Sequence, residues 1–414
     1  MARPRDTHLR RASGGATAAA AVAMAMVPPG INHSRPSLSP PTSSSAWDEA
    51  LKQLPASGTL KAGLLHVYLG DRWPSWTAHL LSSAAVSTGI AFYFLGPPLS
   101  TRGCANCAWL PMDVAALDSR IVSHLGLPAG AVILAPRGAT GSRATGAAAL
   151  PARKLCDLKP MWPALFPELS SRHEWIGHSD TDILWGNLSA EVAALSAEDE
   201  LLVPSTYYPQ PLTNGNLMLL RSTPKMIHAF RRSAHWRRAL LQPTLYVFDE
   251  HWGSSGPGMH HVFRDMMLAD ELHARPTRRL LVQDMMIFRG KRRNGLYPTL
   301  DSYSARVAVG WRGGALLAAR DGPCVCSKQV WDVTLSSCAE CLTQPGALLP
   351  EVRMRVRAEV LGLHFQVWKV LWARSGALSH TAAARACPGA FGVQPQTGFS
   401  CGMPSALLAG PGGS

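Results

Sequence analysis

No apolar run beyond the first 45 residues is long enough to cross a bilayer, so membrane anchoring is expected only through the N-terminal segment, if at all. No DNA-reading zinc-finger spacing, helix-turn-helix pattern or aromatic RNA-binding signature is present, so nucleic acid is not an expected partner. Charge is scarce too. Only 16% of the 414 residues are Asp, Glu, Lys or Arg, against 47% apolar, which excludes global disorder and leaves enough material for a buried core. Acids are the rarer sign, 27 against 40 Lys and Arg, giving a formal charge of +13. Five Arg and one Asp in the first 45 residues supply +4 of it, leaving +9 elsewhere. Such a field concentrates polyanions, whether nucleic acid, an anionic membrane or a phosphorylated small molecule. A general bias toward arginine is the plainer reading.

The chain begins with an arginine-containing start, continues through the Ala-rich run 16–27 and Pro28-Pro29, and then enters a Ser/Pro-rich stretch ending at Ser45. Small apolar residues after a basic start match the core of a secretory signal, and the run falls short of a span of ~20 residues. The acid-free stretch 7–47 also fits an organelle transit peptide. The secretory pathway, in the Golgi or ER lumen or membrane-associated, is the expected location, with organelle import as the alternative. The expected organisation is a targeting segment and linker at 1–45, a catalytic domain at 46–375 with a Cys-rich insertion at 321–345, and a Gly/Pro/Ala-rich tail at 376–414.

From Lys61 onward short apolar runs alternate with longer amphipathic ones. Residues 62–70 read as a buried strand closing in a glycine turn, 76–87 as a helix, and 89–95 as a second strand. This spacing predicts a parallel α/β unit. Residues 132–134 read as another short strand and 138–149 as a mobile surface loop. A helix from about Lys154 to Phe166 then precedes the segment EWIGHSDTDILWGN at 174–187. Its apolar flanks bracket Asp180-Thr181-Asp182, which should emerge at the carboxyl edge of a strand, where open α/β sheets bind ligands. In extended chain, residues two apart project to one side, so both carboxylates can meet one cation. Hard oxygen ligands suit Mg²⁺ or Mn²⁺. A solvated turn is the competing reading of a bare D-x-D, and partly buried carboxylates weigh against it.

Five segments in order, KLCDLKP, WIGHSDTDILWGN, NGNLMLLR, FDEHWG and HFQVWK, resemble a family of GT-A glycosyltransferase-like proteins of bacteria and algae. The resemblance runs from 60 to 371, with a poor match at 263–360. It implies an α/β, Rossmann-like nucleotide-diphospho-sugar transferase fold with a mostly parallel central sheet. It further implies transfer of a sugar from a nucleotide-sugar donor to a carbohydrate or glycoconjugate acceptor. By position, Asp180, Asp182 and His364 correspond to the metal ligands, with Asp180 also a candidate for the donor ribose. Tyr68, Lys154, Asp157, Lys159 and Lys369 are candidate donor contacts. Asp249 and Glu250 are candidate catalytic acids on the acceptor side, since activating a hydroxyl calls for a nearby carboxylate. The competing readings are a core histidine at His364, a helix-start ion-pair cluster at Lys154, Asp157 and Lys159, and a loop brace at Asp249 and Glu250. Asn214-Gly215-Asn216, before an apparent strand at 217–220, departs from the family form.

Nine cysteines include Cys104-x-x-Cys107, Cys324-x-Cys326 and Cys338-x-x-Cys341. The last two pairs have the look of a four-thiolate zinc site, whereas an oxidising compartment would favour disulfides. Most of the thirteen tryptophans read as core or interface residues; Trp185 and Trp252 are singled out only because each lies beside a carboxylate motif, where aromatic faces can stack on sugars. Asn187-Leu188-Ser189 is a glycosylation sequon beside the proposed site, expected to be unmodified. A non-catalytic nucleotide- or glycan-binding module and a zinc-stabilised interaction protein remain the alternatives to an enzyme.

Overall fold

The computed structural model describes residues 43–56, 58–132, 150–205, 213–242, 245–250, 257–283, 307–312, 315–320, 356–364, 390–394 and 398–401. The expected strand, helix and strand are there: β1 (Ala62–Val67), α2 (Thr77–Ala85) and β2 (Ile90–Gly96), with α1 (Ser43–Lys52) preceding them. The two strands pair in parallel, in register Ala62↔Ile90 to Val67↔Leu95. β2 is buried along its whole length, as a strand covered on both faces must be, and its sequence IAFYFLG is accordingly continuous rather than alternating.

β3 (Cys107–Pro111), β4 (Trp175–Ser179), β5 (Ile183–Trp185), β6 (Leu201–Ser205), β7 (Leu217–Arg221), β8 (Ala274–Gln283) and β12 (Gly362–His364) complete a nine-stranded sheet ordered β3-β2-β1-β4-β7-β6-β8-β12-β5. β7 runs antiparallel to both neighbours, and β5 antiparallel to β12; the other pairings are parallel. The fold is therefore α/β with a mostly parallel central sheet, as expected. α3 (Val114–Arg120) and α4 (Leu150–Leu158) belong to the layer over one face, where Leu65, Tyr93, Ile176, Leu158, Met161 and Phe166 share one core. Leu64, Phe92, Trp175, Trp185 and Leu219 form the core on the other face.

β8 is the hinge of the sheet. Its first half pairs with β6, and its last residues, Leu281 to Gln283, pair with β12. β12 in turn carries β5, so the chain leaves β4 at Ser179, crosses Asp180-Thr181-Asp182, and rejoins the sheet at its far end.

A second sheet, antiparallel throughout, runs β11-β10-β9-β13-β14, comprising β9 (Val307–Arg312), β10 (Ala315–Arg320), β11 (Val356–Val360), β13 (Ala390–Gln394) and β14 (Gly398–Cys401). Two of its strands lie in the segment expected to be a tail. AFGVQ and GFSC carry aromatic and β-branched residues, which favour strands despite the Gly and Pro content around them. The loop expected at 138–149 and the Cys324–Cys341 group lie outside the described residues. So does most of the strand expected at 132–134, where Val132 itself lies in a bend.

Candidate functional site

β1, β2 and β4 point their carboxyl ends the same way, and the D-x-D segment sits at that edge. Three neighbours fix its backbone. Asp180 donates its amide to the Asn216 carbonyl at 3.1 Å. Its own carbonyl lies 3.1 Å from Nδ1 of His66, the penultimate residue of β1. Trp76 donates its indole N–H to the Thr181 carbonyl at 2.9 Å. Asn216 is held in turn by an Asx turn, its amide donating to the Asn214 side chain at 2.8 Å. The segment Asn214-Gly215-Asn216 is thus the brace of the D-x-D backbone. Asp182 is 5% exposed at the entry to β5.

Lys159, in the 3₁₀ turn after α4, reaches the same place. Its ammonium stands 2.6 Å from Asp180 Oδ1, 2.7 Å from the Gly215 carbonyl and 3.3 Å from Asp249 Oδ2. Asp180 and the Gly215 carbonyl accept hydrogen bonds from the ammonium, and Asp249 faces it as an ion pair without a hydrogen bond. Burial alone would lower the Lys159 pKa, but the two carboxylates outweigh it and hold the group well above its ordinary value. Asp249, 1% exposed and without a hydrogen-bonded donor among the described residues, is pushed well above the usual carboxylate range by burial. Lys159 opposes that shift and Glu250 adds to it. Gly215 packs against both acids. A Cβ there would lie 2.7 Å from Glu250 Oε1 and 2.8 Å from Asp249 Oδ2.

Lys154 and Asp157 belong to a different assembly. Asp157 accepts the backbone amides of Phe248 and Tyr246, each at 2.9 Å, and pairs with Lys154 at 3.0 Å. Lys154 also donates to the Ala239 carbonyl. Both side chains are buried, and the pair pins the stretch of chain that delivers Asp249. Lys159 is likewise a hub between carboxylates rather than a free phosphate ligand.

Tyr68, directly after β1, is half-buried against Trp73 at the same edge. Position 364 falls opposite Ile183 in the β12–β5 register, one residue beyond Asp182, so the backbone brings His364 to the site. Lys369 and Trp252 lie outside the described residues. Trp185 is wholly buried in the core and presents no face for stacking on a sugar, which corrects that expectation. Asn187 of the sequon caps the helix Leu188–Ala193, its side chain accepting from Ala190 N at 3.2 Å.

His66 and Trp76 went unnoticed in the sequence, for which the only available signal was their place just inside and just after the first strand. Burial takes His66 and His178 down to about 3, the charge of Lys159 contributing at His178, so both are neutral packing groups at the site edge. Cys104 and Cys107 form a disulfide. Among the described residues, no group of three or more His, Cys, Asp or Glu side chains is arranged to hold a metal ion.

Residues 147–297 match the model of a family of unknown function, DUF6625. That span covers Lys154 through Glu250, but not His66 and Trp76, which brace the same segment. No curated protein matches the chain. Among solved structures, the galactosyltransferase LgtC in complex with donor and acceptor sugar analogues is similar over 45% of this chain and 70% of its own, at 12% identity and a TM-score of 0.25. An active-site mutant of LgtC matches at 11% identity, with the same coverage and TM-score. A likeness that loose carries no argument about this chain, and the fold stands on its own strand order.

Proposed function

We propose that the protein is a GT-A-type glycosyltransferase that moves a sugar from a nucleotide-sugar donor to a carbohydrate or glycoconjugate acceptor with Mn²⁺ or Mg²⁺. One observation carries this reading. Asp180-Thr181-Asp182 is the link between the parallel strands and β5, braced at its backbone by His66, Trp76 and Asn216, at the sheet edge where ligands of α/β proteins bind.

A divalent ion fits the residues in a particular way. Asp180 is engaged by Lys159, and Asp182 immediately precedes Ile183, the residue opposite position 364 in the β5–β12 register. Sites for Mg²⁺ commonly use one or two protein ligands and fill the rest with phosphate oxygens and water. Asp182 and His364 would hold the ion, and Asp180, fixed by Lys159, would orient the donor. Bound there, the ion would neutralise charge developing on the leaving diphosphate. Asp249, with its raised pKa, suits the removal of a proton from an acceptor hydroxyl in an inverting transfer, and Lys159 orients it. Glu250, half-buried beside it, is the alternative base, and Lys369 remains a candidate phosphate contact.

The test is binding of a nucleotide-sugar panel with Mn²⁺ and with chelator, in the native protein and in Asp182→Ala, followed by transfer assays with the donor that binds. Metal-dependent binding lost in a folded Asp182→Ala variant is the expected result. Equal binding by both proteins would overturn the metal site. A second reading, a non-catalytic donor-binding module, is favoured by Lys159, which neutralises the very carboxylates that turnover would use. Donor binding without transfer or hydrolysis across a broad acceptor panel would establish that reading instead.

A further inference from the structure

From Ser222 to Phe248 the chain has no Asp or Glu but five basic residues, Lys225, Arg231, Arg232, Arg237 and Arg238. All of them are exposed. Lys225 is paired with Glu200 and Arg232 with Glu271. Arg231, Arg237 and Arg238 have no carboxylate partner among the described residues. Two of them lie over aromatic rings: Arg231 is 5.2 Å from the centre of Phe230 and 5.3 Å from that of Trp236, and Arg237 is 5.0 Å from that of Trp236. Rings of this kind help hold a guanidinium at the surface.

Exposed apolar side chains lie near these arginines. Five large apolar side chains are exposed among the described residues, Val86, Val122, Leu241, Met267 and Leu268, and all but Val86 adjoin the arginine run. Leu241 follows Arg237 and Arg238 by one helical turn in the helix Trp236–Leu241. Val122 is two residues from His124, whose carbonyl accepts from Arg231 at 3.2 Å. Met267 and Leu268 end the helix Met259–Leu268, and the chain then returns to Glu271, which bonds the Met266 carbonyl through its amide and Arg232 through its carboxylate. Leu268 is 80% exposed.

We propose that this face docks on an anionic membrane surface. Guanidinium groups bind lipid phosphates in bidentate fashion, and exposed leucine and methionine side chains beside them enter the boundary between headgroups and acyl chains. A nucleic acid or acidic glycan would use the arginines but would leave Leu268 and Leu241 without a role, which selects the lipid surface. The attachment is independent of the N-terminal segment and of the reaction at the D-x-D edge.

The experiment is co-sedimentation of the full chain with phosphatidylcholine vesicles and with mixed phosphatidylcholine–phosphatidylglycerol vesicles, at low and high salt. The expected result is binding to the anionic vesicles only, weakened by salt. Binding should fall by more than about a hundredfold in Arg231→Glu/Arg237→Glu/Arg238→Glu and by roughly twenty-five-fold in the milder Arg237→Gln/Arg238→Gln, since each basic residue near an anionic leaflet contributes roughly fivefold. Leu241→Ser/Leu268→Ser should remove the part of the binding that survives high salt. Reversal of Arg10 and Arg11 is the control. An equal loss in that control would show mere attraction by net charge and overturn the proposal. So would unchanged binding in both arginine variants, or binding of heparin or RNA with none of anionic vesicles.

Discussion

Lys154 and Lys159 stand on the same short stretch of chain, both buried and both paired with aspartate, yet their environments drive them in opposite directions. Burial lowers the Lys154 pKa, and Asp157 does not recover it. Asp157 divides its carboxylate between Lys154 and the amides of Tyr246 and Phe248, so a single negative charge serves three donors. Lys159 faces two carboxylates and a carbonyl, and its pKa rises. The first assembly closes on itself and fixes a backbone. The second gathers Asp180, Asp249 and Glu250 about one ammonium, a formal excess of negative charge. The difference lies in how many acceptors the fold delivers to each ammonium, not in the residue types.

The largest effect should come from breaking the closed assembly. Asp157→Ala would strand an ammonium and two amides in the core, and unfolding in urea should show a loss of about 3–5 kcal/mol. Lys159→Met should cost less, about 1–3 kcal/mol, because Asp180 can turn to water. That variant should nevertheless weaken donor binding more than any change at Lys154 that leaves the protein folded, and Lys159→Arg should restore part of it. A reversed ranking in the two measurements would dissolve the distinction between pin and hub.

Acid provides a subtler probe. His66 and His178 have folded pKa values of about 3, below the unfolded value of 6.5, so the unfolded chain binds the extra protons. Stability present above about pH 6.5 should therefore fall as the pH drops toward 3, by up to about 1.4 kcal/mol per pH unit for each histidine. His178→Gln should make that slope shallower in a series of urea titrations. A smaller effect is expected at the brace: Trp76→Phe removes one hydrogen bond from the Thr181 carbonyl, worth about 1 kcal/mol, and calorimetry should find donor binding weakened several-fold with the fold unchanged.

Much of this was legible in the chain. The runs around β1, β2 and β4 are largely apolar segments bounded by Gly, Pro or polar residues, and in the fold they are buried strands paired in parallel. The D-x-D pair was legible because its flanks are apolar. Lys154 and Asp157 were legible as a pair but not as a pin, because the amides they hold are at 246 and 248 and no local pattern announces that contact. Trp185 misled for the converse reason: a tryptophan beside a carboxylate motif looks like a sugar platform, and only the packing of β5 against the second core shows that its ring is covered.

The sequence by itself determined the alternation of strands and helices, the carboxylate pair at a strand end, and the basic run after β7, because each rests on the periodicity or composition of neighbouring residues. Tertiary structure decided which carboxylates meet Lys159, that Asn214-Gly215-Asn216 braces Asp180, that position 364 returns beside Asp182, and that two strands of the apparent tail complete the second sheet. Those outcomes join residues far apart in the chain, and charge, burial and register act through space, where only the folded backbone sets the distance.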